Sequence, residues 1–95
     1  MTFDWDDQKA AANLRKHDVA FEIAAKVWDD PRHLVVFDRK EAGEERWHAI
    51  GLVRGVVILT VVHAYPVEEQ EERIRIISAR KATPAERKRY EENDD

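Results

Sequence analysis

The stretch that decides the fold is VVILTVV, residues 56–62. Apart from a single threonine it is wholly apolar and mostly β-branched, a composition typical of strands. A strand with one face in water alternates apolar and polar residues, and this run does not alternate. The sequence therefore predicts a central strand over Val56–Val62 that is covered on both faces of its sheet.

Two further strands are predicted before the central run. One covers Arg46–Val53 and is joined to the central strand by Arg54-Gly55, a pair suited to a tight two-residue turn. The other is the short apolar run Leu34–Phe37, which is followed by the polar stretch Asp38–Glu45. We read that polar stretch, which contains a glycine, as the hairpin loop between these two strands.

A fourth strand is predicted after the central run. Pro66 and the acidic residues Glu68–Glu72 indicate a long exposed loop, and the apolar character returns over Ile74–Ala79. Because short connections join most of these strands, neighbours in sequence are expected to pair as hairpins. The sequence thus predicts a four-stranded antiparallel sheet.

Two helices are predicted ahead of the sheet. Asp6 is placed to cap the first helix, which runs to about Lys16. The second helix carries an apolar stripe at helical spacing, made up of Phe21, Ala24, Ala25 and Trp28. It is expected to end at Asp29-Asp30-Pro31, because a residue that precedes proline is disfavoured in the helical conformation.

The last predicted element has the clearest local signal in the chain. Thr83-Pro84-Ala85-Glu86 combines a capping threonine, a proline at the first helical position and a glutamate three residues after the cap. We expect a helix from Pro84 through Glu92. The whole chain, residues 1–95, is then a single α+β domain with two N-terminal helices, the antiparallel sheet and a C-terminal helix.

Composition excludes several classes of function. The 95 residues include no cysteine, which rules out disulfides, thiolate-bound metals and a cysteine nucleophile. Three glycines provide no glycine-rich phosphate loop, and the four histidines are scattered without metal-binding spacing. No apolar run is long enough for a membrane span, and the amino end is acidic. We expect a cytoplasmic protein with no metal and no cofactor.

Charge is distributed unevenly along the chain. The net charge is −4, yet residues 73–90 contain seven cationic side chains and a single acidic one, Glu86. Residues 1–72 contain nine cationic side chains against 15 acidic ones. The pattern fits a surface for a polyanion or an acidic partner on an otherwise acidic body. It equally fits an ordinary solvated helix at the end of the chain.

Motifs across nearly the whole chain resemble the BrnT family of type II toxins. The amino half contributes Phe3-Asp4-Trp5-Asp6 together with Lys9, Asn13-Leu14, Lys16-His17 and Asp30-Pro31. The second half contributes residues 74–82, IRIISARKA, followed by Glu86-Arg87 and Tyr90. The sequence departs from the family pattern in the acidic insertion Pro66–Glu72 and in His63, where an aromatic residue is common.

The resemblance implies a RelE-like ribonuclease toxin. It also implies two macromolecular partners, an RNA substrate and a cognate BrnA-like antitoxin that supplies the DNA-binding domain. The toxin itself would meet DNA only through that complex.

Arg80 is the leading candidate for the catalytic group. A guanidinium binds phosphate in a bidentate manner and stays protonated, so it can hold RNA and stabilise a developing phosphorane. Strand alternation would place Arg75 and Arg80 on opposite faces unless the strand ends or bulges between them. We expect Arg80 at the end of the strand, where it forms an anion site with Lys81 and the start of the last helix.

Glu86 and Tyr90 complete the predicted catalytic set with Arg80. Glu86 could act as a general base, although the capping box already accounts for it. Tyr90 either docks the last helix or directs its hydroxyl at RNA, and docking is slightly favoured. The histidines His48 and His63 could meet across two strands and shuttle protons, but a packed or hydrogen-bonded role is favoured for both. The predicted RNA-binding residues are Arg46, Arg75, Lys81 and Arg87.

Two functions remain open at this point. The first is a metal-independent endoribonuclease toxin that cuts RNA by attack of a 2'-hydroxyl, arrests growth and is neutralised by its antitoxin. The alternative is a non-catalytic nucleic-acid or protein-binding module, such as a degenerate or regulatory toxin homologue. The alternative stays open because no residue in the sequence is an unambiguous general base.

Overall fold

The computed structural model describes residues 1–66 and 73–93, so the predicted acidic loop over Glu68–Glu72 lies outside the described residues. The elements follow in the order β1 (Thr2–Asp4), α1 (Asp7–His17), α2 (Phe21–Ala24), β2 (Leu34–Glu41), β3 (Glu44–Val53), β4 (Val57–Ala64), β5 (Arg73–Lys81) and α3 (Pro84–Glu91). A short 3-10 helix, Ala25–Asp29, continues α2. The strands form one sheet in the spatial order β1-β5-β4-β3-β2.

The predicted fold, two N-terminal helices and a four-stranded antiparallel sheet, was wrong. The described residues form a five-stranded mixed sheet, because Thr2–Asp4 adds a strand that pairs in parallel with β5. Three residues are too few to show an alternating pattern, so this strand had no sequence signal. Phe3 fixes it in place by packing edge-on against Trp28, with ring centroids 5.2 Å apart. The predicted second helix is α-helical only over Phe21–Ala24.

The prediction of a central strand is confirmed. β4 is the middle strand of the five and pairs antiparallel with both β3 and β5. Arg54 and Gly55 form the preceding turn and both have positive φ, as a tight hairpin turn requires. Val56 belongs to this connection and not to the strand, so its side chain is 83% exposed.

The hairpin of β2 and β3 is longer than predicted. The polar stretch that we assigned to a loop is mostly paired strand, and the connection narrows to Ala42-Gly43, both with positive φ. The register shifts between Phe37 and Arg39, which places a bulge at Asp38. Charged residues can continue an edge strand because their side chains pair with one another, as Arg39 does with Glu41.

The main core lies between one face of the sheet and the segment α2 to 3-10 helix. Phe21, Ala24 and Val27 pack there against buried residues of the three inner strands. The helical segment approaches β3 so closely that a Cβ on Gly51 would lie 2.9 Å from the Val27 side chain. None of the helices among the described residues has the length and apolarity needed to cross a membrane.

Asn13 completes the edge of β5 beyond the short strand β1. Its buried carboxamide donates to the carbonyls of Ala79 (2.9 Å) and Val19 (3.0 Å) and accepts from the Ala79 N–H at 3.0 Å. The side chain thereby satisfies both backbone groups of Ala79, as a neighbouring strand would. One asparagine thus attaches α1 to the sheet.

Replacing Asn13 tests this attachment. Asn13→Ala leaves buried backbone groups without partners, and each such group costs about 1–3 kcal/mol. We expect the free energy of unfolding, measured by urea titration, to fall by about 2–4 kcal/mol. The exposed Gln8→Ala on the same helix should change it by less than about 0.5 kcal/mol. Equal effects of the two substitutions would contradict this role of Asn13.

Candidate active site

The candidate site lies on the face of the sheet opposite α2. Arg80 on β5 pairs with Thr60 on β4, and His48 on β3 pairs with Val62 on β4. Thr60 and Val62 are two residues apart on one strand, so all of these side chains share a face. Polar and cationic groups from three strands are thereby brought together.

A bulge brings Arg75 onto this face as well. The register between β4 and β5 shifts after Val62, so that Arg75 pairs with Ala64 while Arg80 pairs with Thr60. Ala64 and Thr60 are four residues apart on β4 and point the same way. The condition identified in the sequence, a bulge between the two arginines, is met.

The carboxylate of Glu86 is the hub of the site. Arg80 donates to both of its oxygens, through Nη1 at 2.7 Å and Nη2 at 3.0 Å. The hydroxyl of Thr60 and the N–H of Thr83 each donate to Oε1 at 2.9 Å. The Thr83 hydroxyl accepts from the Glu86 N–H, which confirms the predicted capping box.

These contacts determine the charge state of the pair. Hydrogen bonds from Arg80, helped by those from Thr83 and Thr60, outweigh the cost of burial and lower the pKa of Glu86 to about 2. The same carboxylate raises the pKa of Arg80 above its usual value. A carboxylate this acidic is a weak base at neutral pH. Its geometry and pKa suit positioning of the guanidinium.

His48 lies between two carboxylates. Its Nδ1 is 3.8 Å from Oε2 of Glu86, and its Nε2 is 3.4 Å from Oδ2 of Asp38 at the bulge of β2. The His48 side chain is 18% exposed, so a ligand on this face of the sheet can reach the imidazole. His48 does not face His63, which pairs with Trp47.

His63 belongs to the core on the opposite face. It is completely buried, with its ring edge-on to Trp28 at 4.9 Å between centroids. Burial lowers the pKa of His63 to about 4. His63 therefore occupies a packed position, as expected, whereas His48 lies outside this core, between the carboxylates of Asp38 and Glu86.

The predicted RNA-binding residues occupy different surroundings. Arg46 shares the face of His48 and is 14% exposed, and its Nε is buried without a hydrogen-bond partner among the described residues. Arg75 pairs with Asp4 of β1, and its Nε lies 3.2 Å from Oδ1 of that residue. Lys81 pairs with Leu59, which belongs to the core on the α2 face of the sheet. The Lys81 side chain therefore points to the face opposite that of Arg80. Arg87 is exposed on α3.

Tyr90 attaches α3 to the body of the protein. Its buried hydroxyl donates to Asp30 at 2.6 Å, and Asp30 also accepts from the N–H groups of Leu52 (2.8 Å) and Arg32 (2.9 Å). Burial opposes ionisation of Asp30, but the hydrogen bonds from Tyr90 and Leu52 lower its pKa overall. Burial and the contact with Asp30 raise the pKa of Tyr90. The phenol is thus engaged by Asp30.

Sequence reasoning missed three residues of these clusters. Thr60 was read only as part of the central strand, although it is the single hydroxyl in an apolar run. Asp38 fell in a stretch assigned to a loop, and Asp30 was read only as a helix stop. The lone polar residue in the buried strand was the one signal available in advance.

An arginine held in place by a carboxylate can bind a phosphate group, and a nearby histidine can transfer protons there. Arg80, Glu86 and His48 provide this combination. A comparison with protein families identifies the kind of enzyme. Residues 5–86 match the family described as ribonuclease toxin, BrnT, of type II toxin-antitoxin system. The chain belongs to this family, which confirms the resemblance seen in its motifs. It is therefore a ribonuclease toxin, and its type II system supplies an antitoxin partner.

A solved structure supports the same assignment. The chain is similar to the crystal structure of the Brucella abortus ribonuclease toxin BrnT, with a TM-score of 0.61 and 27% sequence identity. The match covers 87% of this chain and 97% of the Brucella chain. Comparison with curated protein sequences found no match.

The acidity of Glu86 generates a stability prediction. Its pKa is about 2 in the folded chain and 4.5 when unperturbed, so the stability it provides is complete above pH 4.5 and is lost as the pH falls towards 2. Glu86→Gln should reduce the dependence of the unfolding free energy on pH over this interval. Chemical denaturation at several pH values measures this dependence of the unfolding free energy on pH. Glu91→Gln, at an exposed position, is the matched control. An unchanged dependence in Glu86→Gln would refute this assignment.

Proposed function

We propose that the chain cleaves RNA at the Arg80–Glu86 site, without a metal ion, by attack of a ribose 2'-hydroxyl on the adjacent phosphate. The observation that carries the proposal is the two-point hold of Glu86 on Arg80. A guanidinium has five N–H groups. Glu86 takes one from each Nη, and the second Nη1–H faces the Lys81 carbonyl at 3.4 Å, so within the described residues Nε–H and one Nη2–H are left for a ligand. The side chain is oriented and still able to bind phosphate.

The reaction needs two proton transfers. The 2'-oxygen loses its proton as it bonds to phosphorus, the bond from phosphorus to the 5'-oxygen breaks, and that oxygen gains a proton. The products are a 2',3'-cyclic phosphate and a 5'-hydroxyl. Imidazole can accept and donate protons near neutral pH, and His48 is the side chain in the site that can do both. We assign the proton transfers to His48 and the stabilisation of the phosphorane to Arg80.

The other predicted residues take supporting roles in this proposal. Glu86 positions Arg80, and Tyr90 holds α3 so that Glu86 stays in place. Arg46 shares the face of His48, and its Nε makes no hydrogen bond within the described residues but lies 3.6 Å from an oxygen of Glu44. We propose that it turns to a phosphate or ribose oxygen of bound RNA. Arg75 and Arg87 are proposed as outer contacts to RNA, whereas Lys81, which points to the other face of the sheet, is not.

The partners follow from the family and from the charge of the site. We propose a BrnA-like antitoxin with a DNA-binding domain, which places acidic or apolar residues over Arg80 and thereby blocks access of RNA. The toxin would act in the cytoplasm, where its RNA substrate is found. Because part of such an interface is electrostatic, high salt should weaken it.

Substitution of Arg80 tests the proposal. Loss of the guanidinium should slow single-turnover cleavage of RNA by purified Arg80→Ala about 100-fold, equivalent to about 3 kcal/mol of transition-state stabilisation. Arg80→Lys keeps the charge and serves as the matched variant, because Arg80→Ala also leaves Glu86 without its main partner. We expect Arg80→Lys to fold and to cleave more slowly than the native chain, since an ammonium cannot make the bidentate contact.

Cleavage is expected to persist in EDTA, and native chain expressed without antitoxin is expected to arrest growth. A folded Arg80→Lys that cleaves at the native rate would contradict the assigned role of the guanidinium. If folded native chain binds RNA but cleaves neither free nor ribosome-bound RNA, the chain is a binding module and the proposed function fails.

A further inference from the structure

A cationic groove lies between α1 and β5, outside the site described above. It has a volume of about 310 Å³, and its lining consists of Lys9, Ala12, Asn13, Lys16, His17, Ile77 and Ser78. Among the residues that the structure describes, no carboxylate belongs to this lining. Lys9 and Lys16 are both exposed, so their ammonium groups are accessible to a ligand. The groove therefore suits an anion.

The groove adjoins the candidate active site. Ser78 pairs with Val62 and so shares the face of Arg80, which follows two residues later on β5. Two residues of a strand span roughly 7 Å. Lys9 also lines a second groove with Arg75, but Asp4 and Asp6 belong to that lining too, and Arg75 donates to Asp4 at 3.2 Å. The cationic surface that adjoins Arg80 is therefore the groove at Ser78, with Lys9 and Lys16.

The opposite side of the site is more acidic than this groove. The hairpin of β2 and β3 carries four carboxylates, Asp38, Glu41, Glu44 and Glu45, against three cations, Arg39, Lys40 and Arg46. Phosphate groups are repelled by these carboxylates and attracted by the lysines of α1. A polyanion bound at Arg80 is thus directed towards α1.

The groove is less suited to an added protein strand. Such a strand would need the free backbone groups along the edge of β5. Asn13 already takes the N–H and the carbonyl of Ala79 at this edge. The lysines at the rim, in contrast, remain accessible.

We propose that this groove is a subsite for the RNA backbone next to the cleaved phosphate, with Lys9 and Lys16 each contacting one phosphate. This inference rests on the proposed function, because it takes Arg80 as the point where the scissile phosphate binds. Binding at this subsite does not depend on the RNA sequence, because the lysines contact phosphates and not bases. It provides affinity for RNA beyond the reacting nucleotides.

The dependence of RNA binding on salt tests the subsite. The probe is a fluorescently labelled, 2'-O-methylated single-stranded RNA, which lacks the attacking hydroxyl and so is bound without being cleaved. Anisotropy titrations over a range of salt concentrations compare the native chain with Lys9→Gln and Lys16→Gln. Each variant should bind more weakly, and the slope of log K against log salt should become shallower by about 0.7 for each lost contact. Lys26→Gln, exposed in the 3-10 helix, should match the native chain.

The outcomes separate the subsite from the proposed function. The subsite alone would be overturned if the native chain binds and cleaves RNA and both Lys9→Gln and Lys16→Gln keep its RNA affinity and its salt dependence of binding. Weaker antitoxin binding by these variants with unchanged RNA binding would make the groove a protein site and also overturn it. A native chain that neither binds the probe nor cleaves unmodified RNA would overturn the proposed function together with the subsite.

Discussion

The carboxylate of Glu86 is the point at which three parts of the chain meet. It accepts from the first turn of α3 through Thr83, from the central strand through Thr60, and from β5 through Arg80. A half-buried charge is tolerated only when it is fully paired, and these donors supply the pairing. The same contacts that hold α3 on the sheet also fix the guanidinium. Stability and the geometry of the site thus depend on one group.

Polar clamps, and not an apolar stripe, hold α3 at both ends. At the far end Tyr90 donates to Asp30, and Arg32 and Asn93 exchange hydrogen bonds at 2.6 and 3.0 Å. Such contacts are directional, so they define the position of the helix more narrowly than apolar packing of so polar a segment could. The position of Glu86 over Arg80 follows from this arrangement.

Much of the fold and of the candidate site could be predicted from the sequence, because the signals for these parts are local. The central strand and the capping box depend on residues adjacent in sequence, and Arg80 stood out by its chemistry and by the family motif. The strand β1, the long hairpin and the meeting of His48 with Asp38 could not be predicted. They depend on cross-strand register, which a single bulge shifts and which short polar segments do not encode. For the same reason the bulge that brings Arg75 onto the same face as Arg80 could be stated only as a condition.

The central claim is that Glu86 positions Arg80 while His48 transfers the protons. The most direct measurement is the pH dependence of single-turnover RNA cleavage by the native chain, Glu86→Gln and His48→Asn. The account predicts that Glu86→Gln cleaves more slowly but keeps the inflections of the native profile. The carboxylate that it removes has a pKa of about 2 in the native chain and does not titrate near neutral pH. His48→Asn should cleave far more slowly at every pH, because an amide cannot take up or release the proton. Loss of the inflections in Glu86→Gln, with a native profile in His48→Asn, would contradict the account.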